Sequence, residues 1–213
     1  MVTAGINLKS TPKLGTFPLA ADIGWVLAFG GRNFIAGDGD QNDRVTGQTS
    51  FANTTPTFLF HNPVGSRVYL IGPFIHLNQT GTVGGGDISV EVELVAPSAY
   101  ASGGTSEKVR SANTSKWGLL QNQCLLYSGP TATAGYGIAI DSVTLAPDIS
   151  PAEGIINIYE YQGPAGMVLA PGSSLNIFTS AGTTGPTWAW HAEWWEIPEA
   201  LAQQLIDIGL LAA

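Results

Sequence analysis

From Asp87 to Leu94 the chain reads DISVEVEL, placing Ile88, Val90, Val92 and Leu94 on one face of an extended strand and Asp87, Ser89, Glu91 and Glu93 on the other. A period of two with one dry and one wet face belongs to an antiparallel sheet; strands buried on both faces read instead as continuous apolar runs. Similar short strand signals recur in IGWVLAF, TFLFHN, SRVYLIGPFIHL, QNQCLLYS, YGIAIDSV, IINIYEY, GMVLA, SLNIFTS and TWAWHAEWWEI. Most are separated by Gly, Pro, Asn or Ser clusters, the residues that turns require. No segment between them repeats apolar residues at helical spacing, which argues against alternating βα units. The expectation is an all-β chain: a single antiparallel β-sandwich of roughly eight to ten strands, a number that suits a jelly roll.

Three parts are expected along the chain. Residues 1–22 carry Gly5, Pro12, Gly15 and Pro18 and show no periodicity, so they read as an extended N-terminal arm. The sandwich occupies 23–197, and a short C-terminal helix covers 198–213. Pro198 suits the first turn of that helix, where a missing N–H does no harm, and Glu199 meets the positive end of its dipole. Leu201, Leu205 and Ile208 form one apolar stripe, with Gly209 as the stop. Burying each of these side chains stabilises by roughly 1.5–3 kcal/mol. The sequence does not choose between the sandwich and a neighbouring subunit as the surface that covers them. Two long polar stretches remain, Gln79–Asp87 and Ala96–Trp117. The second holds Lys108, Arg110 and Lys116 and reads either as a polar contact surface or as a solvated loop.

Charge narrows the range of partners. All eight Lys and Arg lie at or before Lys116, while eight acids and no base follow from Trp117 onward, giving a net charge of −8. Nucleic-acid binding depends on basic side chains that displace phosphate counterions, so neither nucleic acid nor an anionic membrane is an expected partner. No stretch approaches the ~20 apolar residues of a membrane helix, and MVTAGINLKSTPKLG lacks the order of a secretion signal. Charged residues make up only 11% of the chain, against about 25% in ordinary domains. Such a weakly charged polar surface suits a part that packs into an assembly. The 213 residues suffice for one domain with a core that needs no staple.

Searches for chemistry end without an assigned residue. GDGDQNDR gathers Asp38, Asp40 and Asp43. Counted from Asp38, Asp40 and Asn42 fit an EF-hand loop, but its glycine and bidentate glutamate positions hold Asp43 and Thr49. The expectation is a turn whose Asx side chains bond their own backbone, with a cation site completed by other loops left open. His61, His76 and His191 sit in separate strands. His191 and Glu193 share a face, but the sequence offers no further nitrogen ligand for a cupin-type metal site. Cys124, the only cysteine, reads as a small buried hydrophobe. No GxSxG or phosphate loop is present, and carboxylate pairs for glycoside chemistry remain open. No catalytic, cofactor-binding or metal residue is therefore assigned, and no enzyme activity is expected. On the last strand Trp188, Trp190 and Trp194 point one way and Trp195 the other. Aromatics on both faces require two coverings: the core on one side and the helix, the arm or another subunit on the other. An aromatic sugar-binding platform is the alternative use of these residues.

Residues 44–82, with TPTFLFHNP, and residues 163–198, with LAPGSSLNIF and EWWEIP, make up about a third of the chain. Together they resemble the small jelly-roll proteins that decorate or cement the capsids of tailed bacteriophages as trimers. The resemblance implies a structural virion protein made in the host cytoplasm and carried on the capsid surface. Its implied partners are the major capsid protein and two further copies of itself, a homotrimer that bridges shell subunits. Two alternatives stay open. A trimeric host- or carbohydrate-binding β-sandwich module of a phage particle would show exposed Trp beside Asp or Asn. A cupin-like or glycosidase-like enzyme would need histidines or carboxylates converging in a cleft. The first reading predicts that light scattering gives a trimer and that limited proteolysis of the isolated protein removes the arm; a monomer with a resistant arm is the contrary result.

Overall fold

The structure, a computed structural model, describes residues 27–38, 43–81, 83, 86–119, 121–133, 137–146, 157–164 and 167–207, with the backbone alone at 205 and 206. The expected arm over 1–22 lies outside these residues, as do Asp40, Asn42, Ile208 and Gly209. The first strands are β1 (Asn33–Gly37), β2 (Val45–Thr46), β3 (Phe58–Asn62), β4 (Val68–Gln79) and β5 (Ile88–Val95). Short strands follow: β6 (Tyr100–Ser102), β7 (Thr105–Ser106), β8 (Arg110–Ser111), β9 (Leu125–Ser128) and β10 (Thr131–Ala132). The last are β11 (Gly137–Leu145), β12 (Ile158–Gln162), β13 (Val168–Leu169), β14 (Ser173–Ser180) and β15 (Thr187–Pro198), before helix α1 (Glu199–Asp207).

Two antiparallel sheets face each other. One runs β12-β4-β15-β1-β8, with β13 also on β4 and β2 on β15; the other runs β11-β5-β14-β3-β9-β7. The long strands pair in nested fashion, β1 with β15, β3 with β14, β4 with β12 and β5 with β11. Such nesting is a long hairpin rolled into two layers, the jelly roll that the strand number suggested. β5 behaves as its alternation requires: Ile88, Val90 and Val92 are buried and Ser89 is exposed.

The core between the sheets is aromatic. Trp188, Trp190 and Trp194 of β15 are buried in it beside Phe58 and Phe60 of β3. Ring centroids lie 5.1 Å apart for Phe58–Trp190 and 5.6 Å for Phe60–Trp194, the latter edge-to-face. Each such pair contributes about 0.5–1.5 kcal/mol beyond area burial. A buried indole N–H needs an acceptor, and each of the three has one. Trp188 donates to Thr179 Oγ1 at 3.0 Å, Trp190 to the Asp43 carbonyl at 3.4 Å and Trp194 to Glu196 Oε1 at 3.3 Å.

Trp195 points to the opposite face, where it packs with Tyr69, Ile71, Leu27, Ile197, Leu201 and Ala202. The second covering of the strand is therefore α1 together with the segment before β1. Between Glu193 and Trp195 the pairing with β4 shifts register. Gly72, at φ +55°, takes up the irregularity, a conformation that disfavours any side chain.

Three expectations need correction. The run IGWVLAF is expected as a strand, but its described part, residues 27–29, is helical, and the first strand among the described residues forms from NFIAG. A short apolar run does not distinguish helix from strand. Here Gly31 at φ +76°, with Arg32 N–H bonded to the Leu27 carbonyl at 2.7 Å, ends the helical turn as a left-handed C-terminal glycine does. Pro198 is not in the terminal helix; it is the last residue of β15, paired with Val68. The stretch Ala96–Trp117 is not one loop but three short strands and a 3-10 turn over Thr114–Lys116. Its β6 pairs with β10 to cover Leu59, Val95 and Ala99 on the outer face of the second sheet.

Glu196 is the unusual core residue, wholly buried at 0% exposure. Its Oε1 accepts the backbone N–H groups of Gln123 and Cys124 at 3.0 and 2.9 Å, pinning the chain that leads into β9. Burial, the largest influence, pushes its pKa up, against the bonds from Cys124, Gln123 and Trp194 and the charge of Arg32. A folded-state pKa above the unfolded one means that the group's contribution is greatest at low pH and is lost as pH rises through the raised value. Glu196→Gln keeps the Oε1 acceptor, so in denaturant titrations it is expected to fold and to lose this component of the pH dependence. Glu196→Ala removes the acceptor of the Gln123 and Cys124 N–H groups and of the Trp194 indole, and each buried donor left unpaired costs about 1–3 kcal/mol.

Candidate interaction surface

Outward-facing positions on neighbouring strands of an antiparallel sheet meet wherever the register sets them opposite. In the first sheet Glu160 of β12 lies opposite His76 of β4, and His76 lies opposite His191 of β15. His76 Nδ1 is 2.9 Å from Glu160 Oε1. The rings of His76 and His191 stack with centroids 5.0 Å apart and planes 23° apart, and Phe74 lies 5.5 Å from His191. Exposed Ile158 and Ile35 extend the same sheet toward its two edges.

Burial pushes the pKa of His191 down, and the charge of His76 lowers it further; Glu193, Glu160 and Asp38 oppose the shift. His191 therefore has the nitrogen neighbour that the sequence did not offer, since only register brings His76 to it. A metal centre does not follow. Among the described residues no group of three or more His, Cys, Asp or Glu is placed to hold a metal ion.

The third histidine, His61, belongs to the other sheet. Its Nδ1 is 2.8 Å from Ser98 Oγ, its ring lies 5.2 Å from that of Tyr100, and burial lowers its pKa. Cys124 is buried, and burial above all, with Glu196 beside it, pushes its thiol pKa up. An inert core thiol is the physical counterpart of the sequence expectation.

Within the Asp38–Asp43 stretch only Asp38 and Asp43 are described, so the turn expected there, with its Asx side chains, lies outside the described residues. Asp38 Oδ2 pairs with Arg44 Nη1 at 3.2 Å. Both ends of the stretch are held to Trp190: the Asp38 N–H donates to the Trp190 carbonyl at 3.1 Å, and the Asp43 carbonyl accepts the indole N–H.

The second sheet ends in an open strand. β11 pairs with β5 along its whole length, and among the described residues no strand pairs with its other edge. Ile138 is 71% exposed and Ile140 is 36% exposed, the latter at a register shift between Ala139 and Asp141. Beyond the shift Val143 and Leu145 return to the core. The Tyr159 hydroxyl donates to Asp141 Oδ2 at 2.7 Å, tying β11 to β12 across the gap between the sheets. The sequence GIAIDSV shows a strand and gives no sign that its isoleucines are exposed.

Neither a family model nor a curated protein matches this sequence.

The stacked histidines predict a pH response. In an NMR titration the midpoint of His191 is expected below the ordinary 6.5, and His76→Gln, which removes a like charge, is expected to raise it. Because the unfolded chain takes up this proton first, His191 loses stabilising effect as pH falls through the window below 6.5. A midpoint unmoved by the substitution contradicts the coupling.

Proposed function

We propose that this chain is a structural virion protein, a decoration or cement protein that binds the major capsid protein at the outer surface of a phage shell and bridges shell subunits. The observation that carries this reading is the edge of β11 that no strand among the described residues covers, with Ile138 and Ile140 exposed. An unpaired strand edge offers a row of backbone donors and acceptors to a second chain, and proteins that stay apart blunt such edges with charge or proline. On β11 the one charged residue, Asp141, is already bonded to Tyr159. An incoming strand would gain backbone pairing from the edge and apolar contact from the two isoleucines, the physics of strand addition.

Further support comes from the sandwich itself. Its core is completed within one chain, so association is free to use surfaces that the fold does not need. The sequence resemblance to capsid-decorating jelly rolls points the same way, and the homotrimer belongs to this reading, with symmetric copies burying strand faces against one another.

The test is the assembly state. Light scattering of the full chain is expected to give three times the single-chain 22.2 kDa. Ile138→Lys with Ile140→Lys is expected to lower the mass toward one chain and to abolish co-sedimentation with undecorated phage shells, with the melting temperature nearly unchanged. A wild-type protein that stays a single chain at every concentration and does not sediment with shells overturns the proposal.

A further inference from the structure

A cavity of about 320 Å³ opens beside β8 and the approach to β9, lined by Val109, Arg110, Trp117, Gln121, Asn122 and Leu125 among others. This size lies at the lower end of small-molecule sites and accommodates one ring-sized group. Trp117 is 51% exposed, yet it is fixed in place. Its indole N–H donates to the Ser111 carbonyl at 2.7 Å, and Ser111 Oγ in turn donates to the Gly31 carbonyl at 3.0 Å. A large aromatic ring held in solvent by its own hydrogen bond contributes little to the core and much to a binding wall.

Arg110 lies over that ring, with its guanidinium carbon 5.5 Å from the centroid. Stacking of this kind orients the planar group and leaves its N–H edges available to an anion. The ion pairs among the described residues are Arg44–Asp38 and His76–Glu160, so no carboxylate there neutralises Arg110. Asn122 commits its Nδ2 to the Cys124 carbonyl at 2.6 Å, which leaves its Oδ1 as an acceptor, and the exposed Gln121 adds a second amide.

We propose that this cavity binds a single carboxylate-bearing sugar unit, such as a hexuronic acid residue of an acidic polysaccharide. The carboxylate pairs with Arg110 in the two-pronged geometry that guanidinium favours. The ring hydroxyls bond to Gln121 and Asn122, and the C–H surface rests on Val109, Leu125 and the indole. A bare oxyanion would use the arginine and leave the amides and the apolar wall idle. The cavity lies by β9, toward the end of the second sheet opposite β11. Sugar binding and assembly are therefore separable, and this site does not depend on the shell reading.

Calorimetric titration of the full chain tests it. Glucuronic acid is expected to bind saturably and at least tenfold more tightly than glucose. Arg110→Gln is expected to weaken glucuronate at least tenfold and so to remove its preference over glucose, while Trp117→Ala weakens both. Gln121→Ala, at an exposed position, is expected to weaken both sugars and keeps the test decisive if the tryptophan variant does not fold. Absence of saturable glucuronate binding overturns the proposal. So does inorganic phosphate or an oligoglutamate peptide binding as tightly as glucuronate, which would make the site a general anion or protein contact.

Discussion

The tryptophan row of β15 is the contact on which the two-layer structure depends. Trp188, Trp190 and Trp194 project from the centre of the first sheet and meet Phe58, Phe60 and Thr179 of the second. Because an indole is both large and polar at one end, each ring fills space between the layers and demands one acceptor at a fixed point. Thr179, the carbonyl of Asp43 and the buried carboxylate of Glu196 are those points. The acceptors belong to a strand, a loop and β15 itself, so the row fixes the spacing of the sheets and the course of the chain around them.

Glu196 extends this logic beyond packing. An ionisable group in a dry core is costly unless it is fully bonded. Here it gathers two backbone N–H groups and an indole N–H. It thereby holds the chain before β9, the same stretch that supplies Gln121 and Asn122 to the Arg110–Trp117 cavity. A buried carboxyl group is in this way linked to the shape of a surface site.

Outside the core, three surface features lie apart from one another. The stacked His76 and His191 lie on the first sheet, the open β11 at one end of the second, and the polar cavity toward the other end. Low charge density favours this arrangement, since few like charges oppose the approach of another surface. The acids concentrated after Trp117 and the bases before it are distributed along a chain whose nested pairing brings early and late strands together, so the asymmetry in sequence is partly averaged in space.

The alternation of Asp87–Leu94 and of Trp188–Trp194 determined by itself that this chain builds antiparallel strands with one dry face, because a strand exposes successive side chains to opposite sides whatever it pairs with. The terminal helix was legible for the same local reason, through its capping acid and apolar spacing. Where tertiary context outweighed local signal, the sequence was silent or misleading. Residues 27–29 are apolar enough for either state and turn helical under Gly31. The small, polar residues of Ala96–Trp117 show no period, yet they form strands because β1, β9 and β10 offer them edges. The meeting of His76 with His191, the exposure of Ile138 and the stacking of Arg110 on Trp117 arise from register, edge position and loop closure. Register and edge position are decided between segments far apart in the chain, and the Arg110–Trp117 contact, close in sequence, is set by the aperiodic 3-10 turn between the two residues, so no local pattern encodes any of the three.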